Sequence, residues 1–246
     1  MRTLTSPLYL AKGVPLLFQP GIRRYVILPI LINFAVFSLF IWVGFSQLSD
    51  MLDHYIATLP DWLQWIDWIL APLILICLVA IGSFICLIFA NLIAAPFNSF
   101  LAEALLRQLT PSIKLPDGGF AAIAKNIVPE LMSELKKLGY ITIRALPLLL
   151  LFIIPGINIF APILWILFSA WVLALEYLEF PMSSHGMLFD KIRARLGRSR
   201  LATLSFGGSI VLLTVIPVIN FFIMPIAVAG ACVFYAEQLI EENRDR

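Results

Sequence analysis

The stretch SDMLDHYIATLPDWLQWID, residues 49–67, decides on which side of a membrane each segment of this chain lies. It holds Asp50, Asp53, Asp61 and Asp67 but neither Lys nor Arg, whereas every other polar stretch carries at least two basic residues. Basic residues accumulate in loops on the cytoplasmic side of a membrane. We therefore predict that this segment faces the outside and that the other polar segments face the inside.

The composition indicates an integral membrane protein. Of the 246 residues, 61% are hydrophobic and only 13% are charged, with a mean hydropathy of +0.97. That is too little charge to cover a soluble globule of this size. The three cysteines lie in uncharged runs and form no Cys-x-x-Cys pair, so we interpret them as packing residues and predict no metal site and no cofactor.

The uncharged runs on either side of 49–67 predict two membrane crossings. A hydrocarbon core about 30 Å thick needs roughly 20 helical residues to cross it. The run before the acidic segment satisfies this length, and we predict the first transmembrane helix at 25–48. Beyond the acidic segment, Pro72 and Pro96 delimit a second transmembrane helix at 73–95, which can continue past Pro96 into the cytoplasm.

Two further uncharged runs, 145–175 and 201–236, are longer than one crossing but shorter than the roughly 40 residues that two crossings need. Each is interrupted by a related motif, IPGINIF at 154–160 and IPVINFF at 216–222, so the chain contains an internal repeat. Proline removes a backbone donor and asparagine bonds locally to the backbone, which suits a tight turn. Because both flanks of both runs are basic, we predict two re-entrant helical hairpins that enter from the inside and return there. The alternative is one long kinked helix, which would place 176–200 outside.

Short amphipathic segments complete the predicted all-α membrane fold. Ser6 and Pro7 indicate the start of a short helix on the inner surface. Basic residues from Lys191 to Arg200 interleave with Leu188, Ile192 and Leu196, a pattern typical of a helix lying on an anionic membrane face. The single membrane domain, 1–246, is predicted to contain an inner-surface helix and anion loop (1–24), transmembrane helices (25–48 and 73–95) and re-entrant hairpins (145–175 and 201–236).

The sequence PGIRR at 20–24 is the candidate anion site. Pro20 and Gly21 end one helix and the next begins at once, so its first N–H groups lack intrahelical partners. A helix start carries partial positive charge, and two arginines beside a glycine would complete an oxyanion site. From spacing alone, we favour the simpler interpretation that Arg23 and Arg24 anchor the first crossing at the inner surface.

Polar residues in or beside the uncharged runs are candidates for a permeation path. Glu103 and Arg107 stand four apart beyond the second crossing and can pair on one helix face, either at the surface or between the hairpins. The pore or gating candidates are Glu103, Arg107, Asn33, Asn91, Asn98, Asn158 and Asn220.

The sequence favours no enzymatic activity. It has no nucleotide-binding loop and no Gly-x-Ser-x-Gly motif, and His54 with two aspartates is a weak cluster in a solvated loop. We predict no catalytic residues. A membrane-embedded enzyme acting on lipid remains as a rival, with Glu176, Glu179 and His185 as its cluster near the interface.

Several longer motifs point to a family. They are QPGIRR at 19–24 with VILP at 26–29, PDWLQW at 60–65, AAPFN at 94–98 with LAE at 101–103, PGI at 155–157, LFSAW at 167–171 and IMPIAV at 223–228. Together they cover nearly the whole chain, which resembles the CysZ-type sulfate permeases of bacteria, a group related to a wider set of eukaryotic membrane proteins.

This resemblance implies uptake of sulfate into the cytoplasm for cysteine synthesis, without nucleotide hydrolysis, by a multi-pass homo-oligomer in the bacterial inner membrane. It also implies that a sulfate is held by Gly21, Ile22, Arg23 and Arg24. Sulfate and membrane lipid are then the expected partners, and nucleic acid is not. The alternative is a non-transporting membrane scaffold or regulatory protein that binds a partner through its basic cytoplasmic face.

Overall fold

A computed structural model describes residues 6–56, 67–111, 120–220 and 222–244. Within these residues the regular structure is all helical, in agreement with the predicted class. The helices are α1 (Ser6–Leu17), α2 (Arg23–Ile56), α3 (Asp67–Leu109), α4 (Phe120–Leu151), a 3-10 helix (Asn158–Phe160), α5 (Ala161–Ser183), α6 (Phe189–Arg198), α7 (Arg200–Thr214), α8 (Pro217–Asn220) and α9 (Ile223–Arg244). Of the predicted outer segment, 49–56 continue α2, and 57–66 lie outside the described residues.

The chain forms two compact units. The first comprises Met1–Arg23 and Asn98–Arg246, and the second comprises Arg24–Phe97. The second unit therefore holds nearly all of α2 and the part of α3 up to Phe97, while the first holds the end of α3 and the other helices. The predicted single membrane domain stays a prediction.

In the second unit, α2 and α3 approach each other through a glycine. A Cβ on Gly82 of α3 would lie 2.1 Å from a ring atom of Phe40 on α2, so only the missing side chain permits this contact. Large apolar side chains elsewhere in the unit are exposed, including Phe34 at 70% and Trp42 at 71%. Exposed apolar surface of this kind indicates a membrane or protein contact.

Two described segments are long and apolar enough to cross a membrane, Arg23–Gly44 and Asn158–Ser183. The first coincides with the predicted first crossing. The second contains α5, which is one arm of the first predicted hairpin and is long enough for a full crossing as well. Within the predicted second crossing, 73–95, the apolar segment found among the described residues is the shorter Leu75–Phe84. α3 continues through Pro96 to its end at Leu109, as the sequence predicts.

The core of the first unit is built around α9, whose residues 227–236 are all buried. Small residues let its neighbours come close. A Cβ on Gly13 of α1 would lie 2.6 Å from the main-chain nitrogen of Gly230 in α9. A Cβ on Gly207 of α7 would lie 1.8 Å from the carbonyl oxygen of Ala170 in α5. These crossings therefore depend on glycine, which lets two helix backbones touch.

The helices on either side of each repeat motif pack against each other. In the first pair, α4 and α5, the indole Nε1 of Trp171 donates a hydrogen bond to the hydroxyl of Tyr140 at 2.9 Å. In the second pair, α7 and α9, the ring centroids of Phe206 and Phe234 are 5.6 Å apart. Each pair is therefore a helical hairpin, with two helices that flank one motif and pack together, as the sequence predicts. The re-entrant path in the membrane stays a prediction.

The turns at the two repeat motifs are similar but not identical, because a 3-10 helix covers Asn158–Phe160 in the first and an α-helix covers Pro217–Asn220 in the second. Two main-chain N–H donors recur at equivalent positions: Asn158 to Ile154 (3.1 Å) and Phe160 to Ile157 (3.0 Å) in the first motif, and Asn220 to Ile216 (2.9 Å) and Phe222 to Ile219 (2.9 Å) in the second. The next α-helix also starts at the equivalent residue, Ala161 or Ile223. The sequence repeat is therefore matched by a partial structural repeat, in which these hydrogen bonds recur but the helix type does not.

The apolar sides of α1 and α6 are buried in protein. Tyr9 and Leu10 of α1 pack against α9, and Ile192 and Leu196 of α6 are at most 1% exposed. The predicted placement of Ile192 and Leu196 against a membrane is therefore wrong, because α4, α5 and α7 surround that side of α6. The side of α6 that remains exposed is the basic one.

Candidate functional site

The candidate anion site begins at the turn between α1 and α2. The N–H groups of Ile22 and Arg23 both donate to the carbonyl oxygen of Gln19, at 3.1 and 3.2 Å. Gly21 has a φ of +91°, which residues with a Cβ adopt only at a cost, so the turn favours glycine there. A Cβ on Gly21 would meet no atom within 4 Å, so the space beside this residue is open.

Packing within the first unit holds this turn in place. Ile22 is only 2% exposed. The preceding helix, α1, is fixed to α9 by the Gly13 contact and by an ion pair of 2.6 Å between Nζ of Lys12 and Oε1 of Glu237. The turn is therefore anchored to the second hairpin through α1, the helix that precedes Gly21.

The two arginines of the candidate site are exposed. Arg23 is the first residue of α2 and the last of the first unit, and Arg24 opens the second unit. Nη2 of Arg24 donates to the hydroxyl of Tyr25 at 2.8 Å, and its Cζ lies 4.8 Å from the centre of that ring. An aromatic partner of this kind orients a guanidinium without neutralising it.

The sequence predicts that the first N–H groups of α2 have no partner within the helix. The N–H group of Arg23, the first residue of α2, bonds outside the helix, to Gln19 in the turn. The guanidinium groups of Arg23 and Arg24 can supply further donors to an anion, and the site stays a prediction. Guanidinium groups suit tetrahedral oxyanions because they donate two parallel hydrogen bonds.

Glu103 and Arg107 form the ion pair that their spacing on α3 predicts. Oε1 of Glu103 lies 2.5 Å from Nη2 of Arg107, and both side chains are more than one third exposed. An exposed pair at this spacing adds little to stability, roughly 0.3–0.5 kcal/mol. The gating role of the pair stays a prediction.

The asparagines named as path candidates lie in different surroundings. Asn158 and Asn220 are exposed at the two hairpin turns, where their main-chain N–H groups make the bonds described above. Asn98 is buried, with Nδ2 at 3.8 Å from Sδ of Met224 near the second turn. Asn33 lies in the second unit, and its Oδ1 is buried without a hydrogen-bond partner among the described residues. The side chain of Asn91 lies outside the described residues.

Lys137 of α4 is the centre of a charged cluster that closes the base of the first hairpin. Its ammonium lies 2.6 Å from Glu179, 3.0 Å from Glu134 and 3.4 Å from Glu176, and its side chain is only 9% exposed. Burial disfavours the ammonium, but the carboxylates outweigh burial and raise the pKa of Lys137 above its ordinary value of 10.5. We call Glu134, Lys137, Glu176 and Glu179 the base cluster.

Lys137 was not predicted as a site residue, although the sequence contains a signal for it. Ser133, Lys137, Tyr140 and Arg144 recur at helical spacing, which places them on one face of α4. All four use that face: Ser133 Oγ accepts from the N–H of Phe189 at 2.8 Å, and Tyr140 accepts from Trp171.

The residues of the lipid-enzyme alternative are engaged elsewhere. Glu176 and Glu179 belong to the base cluster, whereas His185 has Nδ1 at 3.0 Å from the carbonyl oxygen of Pro181 and its ring 5.2 Å from Tyr235. The contacts of the described residues therefore pair neither glutamate with His185. The cluster of Asp50, Asp53 and His54 lies where side chains are outside the described set.

Comparison with known proteins identifies the family. A family model described as "Sulfate transporter CysZ/Etoposide-induced protein 2.4" matches residues 9–225. This chain belongs to that family. The "Sulfate transporter CysZ" of Pectobacterium atrosepticum is 41% identical over 231 residues, which are 94% of this chain and 84% of that protein. The protein of the same name from Salmonella typhimurium is 40% identical over 230 residues, 93% of this chain and 90% of that protein.

The CysZ match confirms the family resemblance found in the sequence. Residues 9–225 include the turn at Gly21, the Glu103–Arg107 pair and both repeat motifs. The elements described above therefore lie within the region that defines the family.

Proposed function

We propose that this chain is a transporter that takes inorganic sulfate through the bacterial inner membrane into the cytoplasm, where it supplies cysteine synthesis, without hydrolysing a nucleotide. The observation that carries the proposal is membership of the sulfate transporter family over 9–225, with relatives that bear that name at about 40% identity. The function is transport, and no catalytic residue takes part in it.

Gly21, Ile22, Arg23 and Arg24 are the sulfate site in this proposal. The positive φ of Gly21 and the open space beside it let an oxyanion approach the turn. The exposed guanidinium groups donate to it. Each charge-assisted hydrogen bond contributes about 1.5–3 kcal/mol. After desolvation, a few such bonds give an affinity between roughly millimolar and micromolar, which allows release.

The decisive measurement is uptake of radiolabelled sulfate into liposomes that contain only the purified protein. Wild-type flux in this system excludes a scaffold that depends on a partner. The variant Arg23→Ala with Arg24→Ala removes two guanidinium groups and should lose most of the uptake and binding. A matched variant, Lys191→Ala with Arg198→Ala, removes the same charge from α6 and should keep most of the uptake. Unchanged uptake in the first variant would remove the site from the mechanism.

The two hairpins are re-entrant in this proposal, and their contacts support that topology. The base cluster joins Lys137, before the uncharged run, to Glu176 and Glu179, after it. Both ends of the run therefore meet, as they must if both lie at the inner surface. From Tyr140 to the contact of Phe152 with Trp165, an α-helix rises roughly 18 Å, less than the hydrocarbon core of about 30 Å.

Cysteine labelling tests the topology. A cysteine at position 185, in a chain with the native cysteines replaced by alanine, should react with an impermeant reagent from the cytoplasmic side only. Labelling of His185→Cys from the periplasm alone, with the N-terminus in the cytoplasm, would reject the re-entrant arrangement and favour a full crossing by α5.

The permeation path completes the proposal. Sulfate is collected at the arginines and passes through a single membrane domain, with the Glu103–Arg107 pair and the asparagines Asn33, Asn91, Asn98, Asn158 and Asn220 along its route. Exposed apolar surface on the described helices supports assembly into a homo-oligomer within lipid. Charge reversal of the pair, Glu103→Arg with Arg107→Glu, should retain more uptake than Glu103→Arg alone, because it restores the ion pair.

A further inference from the structure

Two arginines from different helices converge on one tyrosine ring, beside the base cluster. The guanidinium carbon of Arg144, on α4, lies 3.7 Å from the centre of the Tyr140 ring. That of Arg193, on α6, lies 5.3 Å from the same centre. Two like charges brought to one ring repel each other unless an anion sits between or beside them.

No carboxylate among the described residues supplies that anion. Neither guanidinium has a carboxylate oxygen within 4 Å in the described part of the chain. The nearest acidic residue along α6, Asp190, is engaged by Nζ of Lys136 at 2.7 Å. Lys136 and Arg193 both lower the pKa of Asp190, and the direct contact of its carboxylate is with Lys136. Asp190 therefore offsets part of the charge of Arg193 at longer range, while neither Arg144 nor Arg193 forms a direct ion pair among the described residues.

The aromatic platform between the arginines is fixed. The hydroxyl of Tyr140 accepts a hydrogen bond from Trp171 on α5, and the ring of Phe189 stands edge-on to the Tyr140 ring at 5.4 Å. Three helices thus hold one ring, and that ring orients both guanidinium groups. A site whose donors are oriented before binding loses less entropy when the ligand arrives.

The surroundings of this platform combine a polar end and an apolar end. Arg144 is the last charged residue before the uncharged run of the first hairpin, and Tyr140 and Trp171 are residue types enriched where membrane meets water. Beyond Arg144, towards the hairpin turn, Leu146 and Leu150 of α4 are 56% and 59% exposed. An acyl chain can cover such an apolar surface, whereas a free inorganic oxyanion has no apolar part that could contact it.

We infer that Arg144 and Arg193, held by Tyr140, form a binding site for the phosphate group of an anionic phospholipid of the cytoplasmic leaflet. The guanidinium groups bind the phosphate oxygens, and the acyl chains lie along the exposed apolar side of α4. The site rests on the proposed membrane topology of the first hairpin. It also replaces the prediction that α6 lies on the membrane through its apolar residues. Because the apolar side of α6 is buried in protein, the helix contacts the membrane through Arg193 instead.

The test is lipid binding to the full chain in detergent, measured by native mass spectrometry with phosphatidylglycerol and with zwitterionic phosphatidylethanolamine. The variant Arg144→Gln with Arg193→Gln should bind phosphatidylglycerol roughly thirtyfold more weakly, since each of the two basic residues near a charged headgroup contributes about 1 kcal/mol. Binding of phosphatidylethanolamine should change little. The matched variant Lys191→Gln with Arg198→Gln removes equal charge from α6 away from the ring and should bind phosphatidylglycerol within about twofold of wild type.

Three results would overturn the site. The first is unchanged phosphatidylglycerol binding in the Arg144 and Arg193 variant, and the second is an equal loss in the matched variant, which would indicate a diffuse basic surface. The third is displacement of phosphatidylglycerol by sulfate beyond the effect of chloride at equal ionic strength, which would assign the site to a free oxyanion. Arg144→Lys with Arg193→Lys keeps the charge but not the planar stacking on Tyr140, and should still weaken binding several-fold.

The lipid site and the sulfate site can fail separately. Loss of uptake in the Arg23 and Arg24 variant with normal phosphatidylglycerol binding leaves the lipid site intact. The reverse pattern, normal uptake in that variant with specific lipid loss at Arg144 and Arg193, rejects the sulfate site alone. Periplasmic labelling at position 185 would reject the topology on which the lipid site rests.

Discussion

The hairpin of α4 and α5 and the hairpin of α7 and α9 turn on the same motif but occupy different environments. The two turns are alike in exposure, with Ile153 at 76% and Val215 at 75%, so the difference lies in the arms. In the second hairpin, residues 227–236 of α9 are all buried, and α1 and α5 pack on them. In the first hairpin, most described residues of α4 are exposed or half-buried, so this arm is peripheral within the first unit, whereas α9 forms its core.

The difference shows that the motif specifies the turn and that other residues specify the packing. The second hairpin is enclosed because Gly207 and Gly230 let α5 and α1 come close. The first is held at its base by charge, through Lys137 and its three glutamates. The turns differ as well: Gly156 has a φ of +86°, which none of the described residues other than glycine adopts, and the helix at the motif is a 3-10 helix in the first turn and an α-helix in the second.

The largest effect is expected from a substitution that disrupts the packing of the second hairpin. Gly207→Val places a Cβ where the carbonyl oxygen of Ala170 stands 1.8 Å away, and neither backbone can yield without separating α5 from α7. We expect loss of folded protein, because the clash is with backbone and exceeds the roughly 1–3 kcal/mol typical of overpacking. Size-exclusion chromatography of detergent extracts measures it. The neighbouring Gly208→Val, where a Cβ meets nothing within 4 Å, should behave like wild type, and equal loss in both variants would contradict the packing argument.

The next largest effect is expected from a substitution that removes the cation of the base cluster in the first hairpin. Lys137→Met leaves Glu179, whose side chain is 16% exposed, without its cation. Breaking a buried pair costs about 3–5 kcal/mol. We expect a clearly lower thermal midpoint, while Lys136→Met, which breaks an exposed pair with Asp190, should cost less than about 1 kcal/mol. Similar midpoints for the two variants would show that the base cluster does not hold the hairpin.

The difference in thermal midpoint between wild type and Lys137→Met should depend on pH in a way that follows from the raised pKa of Lys137. A group whose pKa is raised on folding stabilises fully below its ordinary value, 10.5 for this lysine, and loses its contribution only as the pH rises through the higher folded value. The gap in thermal midpoint between wild type and Lys137→Met should therefore stay constant from about pH 7 to about pH 10. A gap that narrows steadily across this range would show that the ammonium is not held by the carboxylates.

The smallest effect concerns the first turn. Gly156→Ala forces a Cβ into a left-handed conformation without a steric contact, which costs about 1–2 kcal/mol. Gly139→Ala, inside α4 with open space around it, should stabilise the chain by up to about 1 kcal/mol. Thermal unfolding of the two variants should thus shift in opposite directions. A shift of Gly156→Ala in the stabilising direction would contradict the assigned conformation.

Much of the fold was predictable because it follows from local patterns. The uncharged runs and prolines predicted the apolar helix at the first predicted crossing, the continuation of α3 past Pro96 and the paired helices around each repeat motif. The re-entrant path of the hairpins stays a prediction. The spacing of Glu103 and Arg107 predicted their ion pair. Turn chemistry and the length of an apolar run depend only on residues that are close together in the chain. They can therefore be recognised in the sequence without knowing which distant segments come into contact.

The turn at the candidate site was predictable from its residue types, but its closing hydrogen bonds were not. The run at 20–24 indicated a glycine turn with two arginines, and the positive φ of Gly21 agrees. That Ile22 and Arg23 give their N–H groups to Gln19 depends on how tightly the turn closes, which the residue types do not reveal. The base cluster escaped the sequence analysis because its members come from two helices and lie up to 45 positions apart, from Glu134 to Glu179.

The sequence by itself determined that this is an all-helical chain with apolar helices, a repeated motif between paired helices and an arginine pair after a glycine turn, and it determined the family. Only the tertiary structure decided that α6 buries its apolar side in protein, that Lys137 joins three carboxylates, and that Arg144 and Arg193 meet at Tyr140. The physical reason is range. Hydrophobic periodicity and turn chemistry act between near neighbours in the chain, whereas burial and charge pairing depend on which distant segments come into contact.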